Sequence, residues 1–438
     1  MSDSILLTNG ILKDPKNHLD TPGEILIENG VISEIYTEST TRYQDSERIQ
    51  KIDLSGGWIL PAPIDAHVHL REPGLTHKET LKTGSQAALA GGFTQIACMA
   101  NTLPVNDTAE TTRWILEKAS EDATECKIHP IGAVTKGLQG ETLADIEDMV
   151  KAGAVAISDD GKPVMNSRLM RQAMEIARSC GIAVISHAED AHLSYPSVMN
   201  EGLVSQELNV EGNPCESEEI LVAREIALSR LTGCRVHLAH VSSRLSLPHI
   251  RRAKEDGLPI TAEVCPHHLF LTEKDVPHYQ THCKMAPPLR TQEDCDALID
   301  ALSDGTIDLI ATDHAPHSPE EKKLSLKDAP FGIIGLQTIL PDTYHLVRKS
   351  SLSFQRWIEG LTEQPAKLLN LETPGILKSR TANLTVFHPN QKWTFGPKNN
   401  QSKSQNSPRW NQEITGYISH VVASGQLSKE SDSKKAQL

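Results

Sequence analysis

Several histidines and aspartates of this chain fall in short runs. These are Asp65-Ala66-His67-Val68-His69-Leu70-Arg71, Ser158-Asp159-Asp160-Gly161, His187-Ala188-Glu189-Asp190, His240-Val241-Ser242-Ser243 and Thr312-Asp313-His314-Ala315-Pro316-His317. Each run follows a short apolar stretch, where a strand would end. His67 and His69 are two apart, so on a strand they face the same side. Two imidazoles from one strand can grip one metal ion. His187 and His240, from two further strands, can grip a second. A carboxylate must balance the charge and bridge the ions, and Asp160 is placed for this. Asp313 can bind a metal through one oxygen and exchange a proton through the other. Four His with two Asp suit Zn²⁺ better than Mg²⁺ or Ca²⁺, which prefer oxygen shells. Two Zn²⁺ per subunit, about 3.5–4 Å apart, would hold a shared hydroxide and polarise a carbonyl. Any one of these runs reads equally well as a turn, a cap or a surface histidine. Five strands with metal-binding types at the same end do not.

Positioning such a set needs many parallel strands. From 58 to 365 the chain repeats strand, loop and helix. Strand candidates are 59–66, 93–99, 127–132, 154–158, 182–187, 235–240, 259–264 and 307–312. Helical stretches such as 78–90, 108–120, 166–179, 216–231, 243–255 and 293–303 lie between them. Eight strands alternating with helices predict a closed (β/α)₈ barrel, which carries its chemistry at the C-terminal strand ends. No GxGxxG or P-loop supports an open doubly wound sheet. Residues 1–57 read as short strands with turns at Asn9-Gly10 and Asn29-Gly30. Residues 366–427 are again strand-like, with a polar loop over 396–413. Both termini are expected to build one small β-sandwich, with 428–438 as a disordered tail.

Composition narrows the function. The 438 residues carry 43 Lys and Arg against 57 Asp and Glu, a net charge of −14. That balance argues against nucleic acid and against an anionic membrane surface. No apolar run approaches the ~18 residues of a membrane span, and no secretory leader is visible, so the cytoplasm is the expected compartment. The eight cysteines include no CxxC and are expected to be reduced and mostly buried. His129, His237 and His249 read as structural; His267 and His268, after Pro266, stay open.

The run Gly56-Gly57-Trp58-Ile59-Leu60-Pro61-Ala62-Pro63-Ile64-Asp65-Ala66-His67-Val68-His69-Leu70-Arg71-Glu72-Pro73-Gly74 resembles the first barrel strand of the amidohydrolase superfamily. Its His-Val-His-Leu-Arg-Glu-Pro-Gly form resembles the bacterial type I branch of the dihydroorotases. Met99-Ala100-Asn101-Thr102, Ser158-Asp159-Asp160-Gly161, Pro266-His267-His268, the run Lys284 to Arg290, Thr312-Asp313-His314-Ala315-Pro316-His317 and Pro330-Phe331-Gly332 extend the likeness over residues 5 to 425. It implies a zinc-dependent cyclic amidohydrolase that reversibly closes N-carbamoyl-L-aspartate to (S)-dihydroorotate in pyrimidine synthesis. It also implies Asp313 as the catalytic proton shuttle, and His69, Arg71, Asn101, His317, Phe331 and Gly332 at the substrate. Arg71 offers a two-pronged match for the substrate carboxylate.

Many relatives bridge their metals with a carbamylated lysine; Gly153 to Asp160 contains none. Asp160 is preferred as the bridge on family pattern, with Asp159 as the rival, since a one-residue slip exchanges strand faces. Three places depart from the type I pattern: Ala286 stands at a usual Asn, Ala100 at a usual Pro, and Arg380-Thr381-Ala382-Asn383-Leu384 where a Gly before Ala-Asp-Leu is usual. The competing functions are a hydantoinase or allantoinase, and a non-catalytic partner of aspartate transcarbamoylase. The expected partners are a small-molecule substrate and further copies of the chain. A complex with the transcarbamoylase is compatible with activity.

Overall fold

A computed structural model describes residues 4–37, 49–122 and 125–430. Eight parallel strands form the central sheet: β1 (Ile64–Val68), β2 (Gln95–Cys98), β3 (Lys127–Gly132), β4 (Ala156–Ile157), β5 (Ala183–Ser186), β6 (Val236–Leu238), β7 (Ile260–Val264) and β8 (Leu309–Ile310). Their spatial order is their chain order. The ring closes where Val68 bridges His314 and His69 N–H donates to the His314 carbonyl at 2.8 Å. Among the helices between and after these strands, the ones that follow the strands in turn around the barrel are α1 (Leu81–Ala90), α2 (Ala109–Glu121), α3 (Ile146–Ala152), α4 (Ser167–Ser179), α5 (Glu216–Thr232), α6 (Leu247–Glu255), α7 (Gln292–Asp304) and α8 (Ile339–Arg348). The expected barrel is therefore present.

Local chemistry sets the helix ends. Thr80, Thr108 and Thr291 each accept from a first-turn amide of α1, α2 and α7. Such caps satisfy donors that have no partner inside the helix. Inside the barrel, Ile64, Ala66, Ala97, Ala156, Ala183 and Ala239 pack as one cluster. Alanine at so many inward positions keeps the narrow barrel filled without crowding.

Both chain ends build a second, mixed sheet. Its order is Gln426–Glu430, Glu413–Ala423, Leu384–Thr394, Trp58–Pro61, Ser4–Asp14, Leu19–Glu28 and Val31–Tyr36, with Ile49–Asp53 also paired to Ser4–Asp14. Ile5, Leu7, Ile25, Ile27, Leu384, Val386 and Val422 fill its own core. These strands join through one hydrogen-bonded path.

Three boundaries differ from the sequence reading. The strand expected over 59–66 is two strands. Trp58–Pro61 pairs with Ser4–Asp14 and Leu384–Thr394, so the barrel starts at Ile64 rather than at 58. Pro61 and Pro63 have no N–H to continue one ladder through this stretch. Asn9-Gly10 is a bulge inside a strand rather than a turn: Asn9 has φ 53° and the register shifts between Leu7 and Gly10. Gln426–Glu430 is a strand, so 428–430 are not part of a tail; the rest of the tail expected over 428–438, residues 431–438, lies outside the described residues. Asn29-Gly30 does form the expected hairpin turn.

Phe387, on strand Leu384–Thr394, is fully buried against the barrel side, 5.3 Å from the Tyr344 ring and 6.1 Å from Trp357. Phe387→Ala should cost about 3–5 kcal/mol of stability. Urea unfolding measures this, and a loss under about 1 kcal/mol would mean the two sheets do not depend on that contact.

Candidate active site

The strand ends bring six side chains to one point. His67 and His69 leave β1, Asp160 follows β4, His187 follows β5, His240 follows β6 and Asp313 follows β8. All six are buried. Asp160 Oδ1 lies 3.6 Å from His67 Nε2, 3.5 Å from His187 Nδ1 and 3.3 Å from His240 Nε2. Asp160 Oδ2 is 3.3 Å from His69 Nε2. Asp313 Oδ1 is 3.0 Å from His69 Nε2 and 3.6 Å from His67 Nε2. Three overlapping triads of metal-binding atoms result: His67, His69 and Asp160; His67, His240 and Asp313; Asp160, His187 and His240.

The outward nitrogens explain how the rings are aimed. His67 Nδ1 lies 2.6 Å from Glu263 Oε1, His69 Nδ1 lies 2.8 Å from Asn101 Oδ1, and His187 Nε2 lies 3.0 Å from Glu189 Oε2. An oxygen acceptor at the outer nitrogen places the proton there and leaves the inner nitrogen with its lone pair. His67 Nε2 is then buried with no hydrogen-bond partner among the described residues. Glu263 also lies 3.0 Å from His237 Nε2 and accepts from the His240 amide at 3.2 Å. Burial opposes its charge, but His67 and His237 hold it below the usual carboxylate range. Burial likewise opposes the Asp160 charge, while His67, His187 and His240 hold its carboxyl well below the usual value.

The two adjacent aspartates separate cleanly. Asp159 turns away from the cluster and accepts from the amides of Val134 at 2.7 Å and Thr135 at 3.1 Å. It ties β4 to the loop after β3, and burial pushes its carboxyl up to about 6. Asp65 ties β1 to β8, accepting from Thr312 Oγ1 at 2.5 Å and from the Thr312 amide at 3.2 Å.

A cavity of about 670 Å³ opens above the cluster, lined among others by His69, Arg71, Asn101, Asp160, Asp313 and His317. Arg71 is buried; its Nε donates to the Pro316 carbonyl at 3.2 Å and its Nη2 lies 3.4 Å from His317 Nε2. Burial lowers the guanidinium to about 10, still charged at neutral pH. Burial, with Arg71, Lys78 and Lys322 nearby, keeps the His317 ring neutral. Phe331 forms part of the wall, its ring 4.5 Å from Lys284 Nζ. Gly332 sits behind it with both backbone groups engaged: its N–H donates to the Lys284 carbonyl at 2.9 Å, and its carbonyl accepts from Lys322 Nζ at 3.0 Å. A side chain at Gly332 would meet the Ala315 carbonyl at 2.4 Å, so glycine permits this close approach. Ala286 also lines the cavity.

Three site residues adopt left-handed backbone: Arg71 with φ 61°, His240 with φ 35° and Asp313 with φ 44°. Such strain outside glycine persists where surrounding structure enforces it. Here it turns each side chain inward as the chain leaves its strand.

Glu263 escaped the sequence reading, as did the roles of Glu189 and Glu218. A lone acid inside the apolar strand Ile260–Val264 was the available signal. Glu218, in α5, accepts from the amides of Ser242 and Ser243 at 3.0 and 3.1 Å and fixes the turn after His240. His268 Nε2 lies 3.0 Å from the Pro287 carbonyl, and His267 and His268 form a separate buried group with Cys265.

A family model described as Dihydro-orotase-like matches residues 56–246. A dihydroorotase of Syntrophotalea carbinolica is 45% identical over 97% of this chain and 98% of its own. One from Desulfotalea psychrophila is also 45% identical, over 97% and 99%. Among solved structures, the L-hydantoinase of Arthrobacter aurescens superposes with TM-score 0.85 at 24% identity, over 98% of this chain and 96% of its own. The dihydropyrimidinase of Brevibacillus agri reaches TM-score 0.80 at 20% identity, over 98% and 95%. At those identities the structures speak for the fold.

The geometry of Asp159 generates a test. Asp159→Ala should cost about 1–3 kcal/mol by stranding two buried amides, while bound metal stays unchanged. Loss of metal with unchanged stability, read by metal analysis and thermal unfolding, would put Asp159 in the cluster instead.

Proposed function

The chain belongs to the dihydroorotase family, and from that premise we propose that His67, His69, Asp160, His187, His240 and Asp313 hold two zinc ions beside a pocket for dihydroorotate. The activity is the reversible interconversion of N-carbamoyl-L-aspartate and (S)-dihydroorotate, a cyclic amidohydrolase reaction. The observation that carries the metal reading is the anchoring of three imidazoles at their outer nitrogens, with His67 Nε2 buried and unpartnered between two carboxylates. This donor set of nitrogens and carboxylates suits zinc, and Asp160, common to two of the triads, would be among the residues that hold it. When bound, such ions supply an acidified water and draw electron density from a carbonyl oxygen.

The chain's own groups do the rest. Arg71 and Asn101 receive the substrate carboxylate, and neutral His317 packs beside the guanidinium without competing for it. Phe331 closes the wall over the ring, and Gly332 serves as the spacer that lets this wall approach His317. In ring opening, water adds to the ring carbonyl and the carbon–nitrogen bond breaks. Asp313 takes a proton from the attacking water and hands it to the leaving nitrogen. In ring closure the proton runs the other way and water leaves. Arg71 favours this reading over a hydantoinase, because a neutral hydantoin gives a buried guanidinium no carboxylate to meet. The cytoplasm remains the proposed compartment.

Two outcomes are expected. Purified protein should carry up to two equivalents of zinc-like metal; chelation should abolish ring opening, and zinc or cobalt should restore it. Full activity in demonstrably metal-free protein would reject the site. Arg71→Ala should keep its metals and lose about 2–5 kcal/mol of recognition, or roughly 30- to several-thousand-fold in kcat/KM on dihydroorotate. Arg71→Lys should recover part of this. An enzyme that prefers an uncharged hydantoin, with Arg71→Ala making no difference, would point to the hydantoinase reading.

A further inference from the structure

The polar segment after strand Leu384–Thr394 reads as an ordinary surface loop, yet Ser402, Ser404, Asn406 and Ser407 are buried. It crosses from the mixed sheet onto the barrel's substrate side. Asn406 uses its whole amide there. Its Oδ1 accepts from the His317 N–H at 3.1 Å. Its Nδ2 donates to the Ala315 carbonyl at 2.9 Å and to the Gly332 carbonyl at 3.0 Å. The Asn406 carbonyl accepts from the Ile334 amide at 3.0 Å. One side chain thus bridges the loop after β8 and the Phe331-Gly332 wall, the two sides of the pocket. A second tie lies four residues earlier. Ser402 Oγ donates to buried Glu79, whose other oxygen accepts from the Lys403 amide at 3.2 Å. Glu79 also faces His314 Nε2 at 3.4 Å, next to Asp313.

We propose that Asn406 is a positioning residue for the reaction: it sets the spacing between His317 and the Phe331-Gly332 wall, so that the terminal sheet takes part in forming the substrate pocket. The inference rests on the reading that His317 and Phe331 meet the substrate. Asn406 itself does not line the cavity. It acts through backbone groups that hold the walls: if it is removed, the His317 amide and the Ala315 carbonyl lose their partner, and the Gly332 carbonyl keeps only Lys322.

The test compares Asn406→Ala, His317→Ala and the double variant in ring opening of dihydroorotate, with metal content and thermal unfolding alongside. Asn406→Ala should raise KM about tenfold and change kcat less than about threefold, with metal unchanged. The double variant should be no worse than His317→Ala within about twofold, because the two act on one wall. Asn406→Asp keeps the size and the acceptor but sets a carboxylate against two carbonyls; it should raise KM at least as far, and it replaces the alanine variant if that fails to fold. Thr385→Ala is the control: its hydroxyl donates to the Gly92 carbonyl away from the cavity, so the variant should lower the unfolding temperature without moving KM. A purely structural Asn406 would lower stability and leave KM as it was, and effects that multiply in the double variant would equally overturn the proposal. If His317→Ala leaves KM unchanged, the reading of that wall fails. The proposal for Asn406 then stands only if Asn406→Ala still raises KM.

Discussion

Two carboxylates buried a few ångströms apart repel each other, and their charge is tolerated only where positive charge or oriented donors surround them. Asp160 and Asp313 share such a place at the mouth of the barrel, each within 3.6 Å of the same His67 nitrogen. Four imidazoles face the pair, and Glu263, Asn101 and Glu189 hold three of them from behind. Where each outer nitrogen keeps the ring's proton, the inner lone pairs and the carboxylates leave the positive charge to be supplied by a divalent cation.

Such aiming needs a rigid frame. The barrel provides it through a ring of short strands whose inner layer is mostly alanine, with Asp65 fastening the last strand to the first. The left-handed backbone at Arg71, His240 and Asp313 is the local strain this frame sustains. Arg71 gains most from it. The turn brings the guanidinium back over the cavity beside the Pro316 carbonyl, rather than out into solvent.

The terminal sheet is more than an appendage. Trp58–Pro61 lies between the first long strand of the chain and a strand from its last sixty residues, so both ends close on the segment that leads into β1. Phe387 fastens this sheet to the barrel helices, and the segment carrying Ser402 and Asn406 extends its reach to the pocket walls. A polar stretch can be buried when its amides and hydroxyls find partners, and here backbone carbonyls and the Glu79 carboxylate supply them.

The sequence by itself determined the barrel, seven of its eight strands, and five of the six residues that converge. Apolar runs ending in His or Asp carry a local signal, because strand alternation and the rule that barrels work at their C-terminal ends need no three-dimensional information. Tertiary structure decided the rest. It chose Asp160 over Asp159, since only a real register tells which of two neighbours faces inward. It assigned Trp58–Pro61 to the terminal sheet, because its partners lie more than forty and three hundred residues away in the chain. It made Glu263 the anchor of three histidine residues, and it turned a serine- and asparagine-rich loop into part of the pocket's support. Neither Glu263 nor Asn406 carries a periodic or motif signal. Their roles arise from hydrogen bonds between segments far apart in sequence, and those partners exist only once the barrel has closed.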